Sequence, residues 1–403
     1  MALDVSASRR QFIRFLAASP LAGSVSWRAW AQDSPEADRL ITAPREAMNV
    51  FDFEPAMKAK VPPAHYGYMA TAIDGDGTLR ANREGFAKFQ LRPRRLVDVN
   101  RIDMSVELFG AKWPSPIAIA PTGSNRAFHA DGELAVSRAA QAGNHLQMLS
   151  TVATTSIEDA IAARGGPVWF QLYPTNEWEV AHALATRATR AGAPALVVTA
   201  DVVARQNWET LQRFIRTDTR ACGECHANTM QSFVARKPNF QGIDVSGIRT
   251  TGATNLTWAF VKRLRDTFPA QKLMLKGVLA HEDARLAVEA GLDGIVVSNH
   301  GGRAEDNGRS TIDALPEILE AVAGRAPVLI DGGFRRGTDI VKALALGARA
   351  VCIGRPYLWG LGAFGQAGVE QVLAILRRET FAAMQQLGAP SLKDLVPAMV
   401  RRA

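Results

Sequence analysis

The sequence predicts an α/β fold, a (β/α)8 TIM barrel with a long excursion after the fourth strand. Three observations point there: eight short apolar runs rich in Val and Ile, segments of helical period between them, and chemically active residues just after nearly every run. The runs are residues 117–120, 147–150, 168–173, 195–199, 273–276, 294–298, 328–331 and 351–354. Runs this apolar suit parallel strands buried on both faces. An open doubly wound sheet shares the alternation, and it is the convergence of polar strand ends on one mouth that favours the closed barrel.

Residues 132–142, 178–191, 281–290, 338–346 and 368–386 carry the helical period. Three of these segments end Ala142-Gly143, Ala290-Gly291 and Leu346-Gly347, where glycine is expected to supply a left-handed cap. Between the fourth and fifth runs lie residues 202–272, far more than one crossover helix needs, and this stretch reads as an insertion or lid.

The N-terminus has its own logic. Ser8-Arg9-Arg10-Gln11-Phe12-Ile13-Arg14 precedes an apolar run, residues 15–25, and then Ala29-Trp30-Ala31. A charged start, an apolar run too short to span a bilayer and a small-x-small cleavage site have the form of an export signal of the twin-arginine type, which carries folded proteins. The expected organisation is therefore a signal over 1–31, a polar linker over 32–46 and the barrel over 47–403, with a periplasmic mature protein. The net charge of +8 comes from Lys and Arg scattered singly or in pairs, so a nucleic-acid partner is not expected.

The last two strand ends read Asp331-Gly332-Gly333-Phe334-Arg335-Arg336-Gly337 and Gly354-Arg355-Pro356. Glycine lets backbone N–H groups approach an anion and arginine adds a bidentate charge, at the strands where barrels commonly hold a phosphate. The sixth strand ends Val297-Ser298-Asn299-His300-Gly301-Gly302-Arg303, which sets an imidazole near a guanidinium on a glycine-rich turn, a pattern suited to proton transfer on a carboxylate ligand. Lys276 closes the fifth strand and needs an anionic or electron-rich partner.

Taken together these pieces resemble the FMN-dependent 2-hydroxy-acid dehydrogenases and oxidases, a family that includes glycolate oxidase, lactate oxidase and mandelate dehydrogenase. The resemblance rests on Ala120-Pro121-Thr122-Gly123, Leu149-Ser150-Thr151, Gln171-Leu172-Tyr173, Thr199-Ala200-Asp201, Leu275-Lys276-Gly277, the Ser298 to Arg303 turn, Asp331 to Arg335 and Gly354-Arg355, all in family order. It implies that Pro121, Thr122, Gly123, Ser150, Gln171, Thr199 and Ser298 bind the flavin, with Lys276 beside its N1 and O2 atoms. It implies a phosphate held by Asp331, Gly332, Gly333, Arg335, Gly354 and Arg355. His300 is then the proton acceptor, Asp201 its orienting partner, Arg303 the carboxylate clamp, and Tyr68 and Tyr173 the substrate-contacting tyrosines. The implied reaction is oxidation of a 2-hydroxy acid to the 2-keto acid, and the implied assembly is a homo-tetramer.

Two features depart from the family. Its second carboxylate-binding arginine falls nine residues after Thr199, where this chain has Trp208; Arg205 and Arg213 are the nearby substitutes. Tryptophan adds bulk and removes charge, so a larger or aromatic substrate, or one without a free carboxylate, is expected. The excursion also contains Cys222-Gly223-Glu224-Cys225-His226. Cys-x-x-Cys-His suits covalent c-type haem with His226 on the iron, a disulfide or redox pair, or a metal site. Export and a possible haem favour transfer of electrons to a cytochrome or quinone over oxygen. Other functions open to the sequence are an exported flavin or haem electron carrier without hydroxy-acid turnover, and another FMN-barrel enzyme. Cys352, inside the eighth strand, reads as an inert core thiol.

Overall fold

The computed structural model describes residues 40–203, 206–220 and 229–403. The twin-arginine segment and the Cys222, Cys225 and His226 motif lie outside the described residues. Ile41–Ala403 is one compact unit, so ordered packing begins within the stretch read as a linker. Pro44–Glu46 forms a 3-10 turn there, tied by the Thr42 N–H to the Glu46 carboxylate at 2.8 Å.

The eight runs form eight strands: β1 Ile117–Ile119, β2 Leu146–Ser150, β3 Trp169–Leu172, β4 Ala195–Thr199, β5 Lys272–Val278, β6 Gly294–Val297, β7 Val328–Ile330 and β8 Ala350–Ile353. All pair in parallel and close into a barrel, β8 returning to β1. Apart from Ala195–Thr199, which matches its run, the strand limits differ from the apolar runs by a residue or two, because ladder hydrogen bonds and not hydrophobicity end a strand.

Side chains alternate inward along each strand, and this period orders the site. Met148, Trp169, Val197, Met274, Val296 and Leu329 belong to the interior apolar cluster. Two residues further on, in the same inward phase, stand Ser150, Gln171, Thr199, Lys276, Ser298 and Asp331, all at least nine-tenths buried. An apolar floor therefore changes to a polar layer at the C-terminal mouth. The other end is closed by the hairpin Val106–Leu108 and Ala111–Trp113, whose turn residues Phe109 and Gly110 both have positive φ, as a tight two-residue turn requires. Phe109 stacks on Trp169 with ring centres 5.0 Å apart.

One cap expectation is corrected. Gly143 is the last residue of the helix Gly132–Gly143, and Asn144 takes the left-handed cap at φ 48°. Asn tolerates that region through its short polar side chain. Gly291 and Gly347 do have positive φ. The excursion resolves into the usual crossover helix, Trp258–Thr267, preceded by the added helices Glu209–Thr217 and Met230–Ala235. Among the described residues no helix is long and apolar enough to cross a membrane.

Candidate functional site

The polar layer is two hydrogen-bond chains. Ser150 Oγ donates to Gln171 Oε1 at 3.1 Å, and Gln171 Nε2 donates to Thr199 Oγ1 at 2.9 Å. On the other side Lys276 Nζ donates to Ser298 Oγ at 2.9 Å, and Ser298 donates to Asp331 Oδ2 at 2.9 Å. Lys276 also stands 3.8 Å from Asp201 and 3.6 Å from Asp331, which supplies the anionic partners its burial demands. Burial alone depresses the ammonium, but the two carboxylates outweigh it and hold Lys276 above its ordinary range.

At the end of β6 the chain turns sharply and His300 adopts φ 56°, a left-handed value in which the residue is held by its neighbours. The Ser298 hydroxyl accepts its backbone N–H at 3.0 Å, and Asn299 pairs side chain to side chain with Asn82 at 2.8 and 2.9 Å. The ring is thereby aimed so that Nδ1 lies 2.8 Å from Asp201 Oδ1, and Nε2 lies 3.2 Å from the Tyr173 hydroxyl. A carboxylate only accepts, so Nδ1 carries a proton directed at Asp201 and Nε2 is the nitrogen turned toward the cavity. Burial pushes the Asp201 carboxyl up, yet His300 and Lys276 together hold it below its usual value. Burial, with Asp201 behind it, pushes the Tyr173 phenol up, so it stays protonated.

These groups face an open cleft at the C-terminal mouth of the barrel. Of the residues singled out from sequence, Tyr68, Pro121, Thr122, Gly123, Tyr173, Lys276, His300, Arg303, Asp331, Gly332, Gly333, Arg335, Gly354 and Arg355 line it. Ser150, Gln171, Thr199 and Ser298 lie in the hydrogen-bonded layer, and Asp201 stands behind His300. Cys352 lines the base, with burial pushing its thiol up, which keeps it unreactive. Arg213 does not reach the cleft; it is paired with Glu209 on an exposed face. Arg205 lies outside the described residues. Ala120, Gly301 and Phe334, from the same motif segments, also line it, and Met69, Val152 and Leu358 complete the lining with no sequence signal beyond being apolar.

One end of the cleft fits a phosphate. Arg335 donates from its side chain to the Phe334 carbonyl at 2.9 Å and stacks 4.6 Å from the Trp359 ring centre. Arg355 donates to the carbonyls of Met69, Thr71 and Gly301 at 2.8, 2.9 and 2.9 Å, and each terminal nitrogen keeps a second N–H. Burial and the adjacent Arg303 and Arg335 push Arg355 down to about 9, and burial with Arg83 pushes Arg335 down to about 10. Neither is in an ion pair among the described residues, and Glu54, Asp339 and Asp76 offset the loss of solvation only in part, so two crowded cations short of counter-charge mark an anion site. Gly333, at φ 85°, presses on Asn82, where a Cβ would lie 2.2 Å from the carbonyl oxygen; Gly354 has open space before it. The Oδ1 atom of Asp331, which lines the cleft, is buried without a partner, as expected of a group that a polar ligand satisfies. These residues fit an anionic mononucleotide.

A closed parallel barrel that joins an anion cradle to an imidazole–carboxylate pair defines an enzyme working on a phosphorylated cofactor by acid–base chemistry. The FMN-dependent dehydrogenase family model matches residues 57–402, and the chain belongs to that family. It is 39% identical over 369 residues to glycolate oxidase 1 of Oryza sativa subsp. indica, covering 88% of this chain and 96% of that one. It is 40% identical over 351 residues to L-lactate oxidase of Lysinibacillus sphaericus, covering 85% and 90%. A structure of mandelate oxidase with benzoyl-formic acid superposes with a TM-score of 0.76 at 35% identity, covering 88% of this chain and 98% of that one.

Proposed function

We propose that the protein oxidises a 2-hydroxy acid, with a bulky or aromatic substituent, to the 2-keto acid, and that the electrons pass to a cytochrome or quinone in preference to oxygen. The observation that carries the reaction is the His300 ring, fixed through Nδ1 by Asp201 at 2.8 Å, with Nε2 beside the Tyr173 hydroxyl in the same cleft as Arg303. Glycolate, L-lactate and mandelate, the substrates named for the relatives above, are all 2-hydroxy acids.

Bound FMN supplies the two-electron oxidant, held by the 331–335 and 354–355 turns. The remaining work falls to the chain. Arg303 orients the carboxylate, and His300 Nε2 takes a proton from the substrate. Asp201 stabilises the imidazolium and keeps the ring from turning, while the Tyr173 hydroxyl shares the Nε2 side of the site. Lys276, kept charged by its two carboxylates, places positive charge where electron density arrives. The indole of Trp208 and the Met69 and Leu358 side chains favour an apolar substituent.

Support for the acceptor comes from the sequence. The twin-arginine segment points to the periplasm, and Cys222-Gly223-Glu224-Cys225-His226 suits a c-type haem that would carry electrons outward. Anaerobic mixing of FMN-loaded protein with a panel of 2-hydroxy acids is expected to bleach the flavin with aromatic members fastest, and H300A to abolish the bleaching. Equal rates with glycolate would overturn the bulky-substrate reading. A pyridine haemochrome spectrum of protein matured in the periplasm tests the haem, and a flavin-only spectrum removes it.

A further inference from the structure

Asn82 stands where two turns of the barrel mouth meet. It is buried on the helix Gly77–Glu84, and its side chain binds the turn that carries His300. Its Nδ2 donates to Asn299 Oδ1 at 2.8 Å, and its Oδ1 accepts from Asn299 Nδ2 at 2.9 Å and from the Thr311 N–H at 3.2 Å. Asn299, the residue before His300, also accepts the Gly302 N–H at 3.2 Å and donates to the Arg309 carbonyl at 3.1 Å. Only an amide brings a donor and an acceptor to this pair; a carboxylate or an apolar side chain of the same size does not.

The same helix bears on the anion turn. A Cβ on Gly332 would lie 3.2 Å from Asn82 Oδ1, and one on Gly333 would lie 2.2 Å from the Asn82 carbonyl oxygen. Thr311 Oγ1 donates to the Asp331 carbonyl at 2.5 Å. Arg83, the next residue, donates to the Gly333 carbonyl and pairs at 2.8 Å with Asp339, whose carboxylate accepts the Arg335 N–H at 3.0 Å. On the histidine side a Cβ on Gly302 would lie 2.7 Å from the Leu79 nitrogen. Glycine at 302, 332 and 333 thus lets the helix lie directly against both turns, and a shift of one presses on the other.

A second link reaches the far side of the base. Arg355, in the anion cradle, donates to the Gly301 carbonyl at 2.9 Å. His300 is therefore tied to the cradle on both flanks, through Asn82 and Asn299 before it and through Arg355 and Gly301 after it. Its left-handed φ of 56° is a conformation that such neighbours maintain.

We propose, on the 2-hydroxy-acid reading above, that Asn82 is a positioning residue that makes the alignment of His300 depend on a phosphate held by the 331–335 turn. Binding energy spent on that turn reaches the base through the amide pair, so a flavin without its phosphate supports slower proton transfer even when fully bound.

The test saturates the full chain with FMN or with riboflavin, which lacks the phosphate. The first readout is the rate constant of anaerobic flavin reduction per bound flavin, with the fastest 2-hydroxy acid of the panel. Native protein is expected to be faster with FMN by about tenfold or more, and Asn82→Ala to shrink that ratio to about threefold or less by slowing the FMN form. A loss that is merely structural slows both flavins alike and leaves the ratio as it was. The second readout needs no turnover: hydrogen exchange of the 298–303 backbone amides is expected to be slower with FMN than with riboflavin in the native chain and equal for the two in Asn82→Ala. Equal rates with the two flavins in the native chain overturn the proposal, as does exchange that riboflavin slows as much as FMN. A native ratio kept in Asn82→Ala overturns the role of Asn82 and leaves Arg355 as the link. Asn82→Ser, which also breaks the amide pair, decides in the same way should the alanine variant not fold. A flavin that no 2-hydroxy acid reduces removes the hydroxy-acid reading, and the exchange measurement then decides the coupling by itself.

Discussion

The Nδ1 of His300 lies 2.8 Å from Oδ1 of Asp201, and the other oxygen of that carboxylate stands 3.8 Å from the Lys276 ammonium. The carboxylate thus fixes the imidazole tautomer while its own charge is balanced from behind. Asp201→Asn keeps the shape but presents an amide that can donate to Nδ1, which moves the ring proton to Nε2 and removes the base. The expected outcome is a fall in the rate of anaerobic flavin reduction of about 10²–10⁴-fold with FMN still bound. A variant reducing its flavin at the native rate would show that Asp201 does not set the tautomer.

Gly277 follows Lys276 at φ 101°, and a Cβ there would lie 2.6 Å from the Asp201 Cβ. Gly277→Ala therefore combines backbone strain of about 1–3 kcal/mol with a push on the residue that holds His300. Melting temperature and kcat should fall together, the latter by about a hundredfold as the base loses alignment. Loss of stability at native kcat would place the strain in the loop alone.

Much of this site is legible in the sequence for one reason: the strand period of two. Met148 and Ser150, Val197 and Thr199, and Leu329 and Asp331 share an inward phase, so an apolar run ending in a polar residue marks the mouth of the barrel. What holds the site is less legible. The amide pair of Asn82 and Asn299, the stack of Arg335 on Trp359, and Asn239, which donates to the Ser150 and Thr151 carbonyls at 3.3 and 3.2 Å, join positions distant in the chain. No local pattern encodes such partners. The helix Thr311–Val322 escaped notice as well, with Pro316 inside it. For Trp208 the sequence told of a lost charge, and the fold adds that its ring covers the surviving arginine.

Arg335 makes opposite contributions to the free and loaded protein. It is buried, burial and Arg83 depress it to about 10, and Glu54 and Asp339 pull the other way only in part, neither forming an ion pair with it among the described residues. Arg335→Met should weaken FMN binding by about tenfold to a hundredfold, measured by fluorescence titration. The same substitution should raise, or leave level, the melting temperature of the FMN-free protein, because a buried cation that its carboxylate neighbours only partly balance is gone. A parallel drop in both would mean that the guanidinium is chiefly a packing element.

Lys237 gives a pH dependence with a definite sign. Burial pushes its ammonium down to about 8, against a partial opposing pull from Glu133; it donates to Ser124 Oγ at 2.6 Å and lies 4.6 Å from the Phe233 ring centre. Below that value the lysine is charged both folded and unfolded, and the burial cost is present in full. Between about 8 and the unfolded value near 10.4 the folded chain releases the proton while the unfolded chain keeps it, so stability rises with pH across that window. The cost corresponds to at most about 3 kcal/mol, and the lost hydrogen bond and ring contact offset part of its removal. Lys237→Met is therefore expected to stabilise the protein by about 1–2 kcal/mol at neutral pH in urea denaturation, with the gain shrinking as the pH climbs through the window. A gain that stays constant from neutral pH to about pH 10 would assign the effect to packing and not to the buried charge.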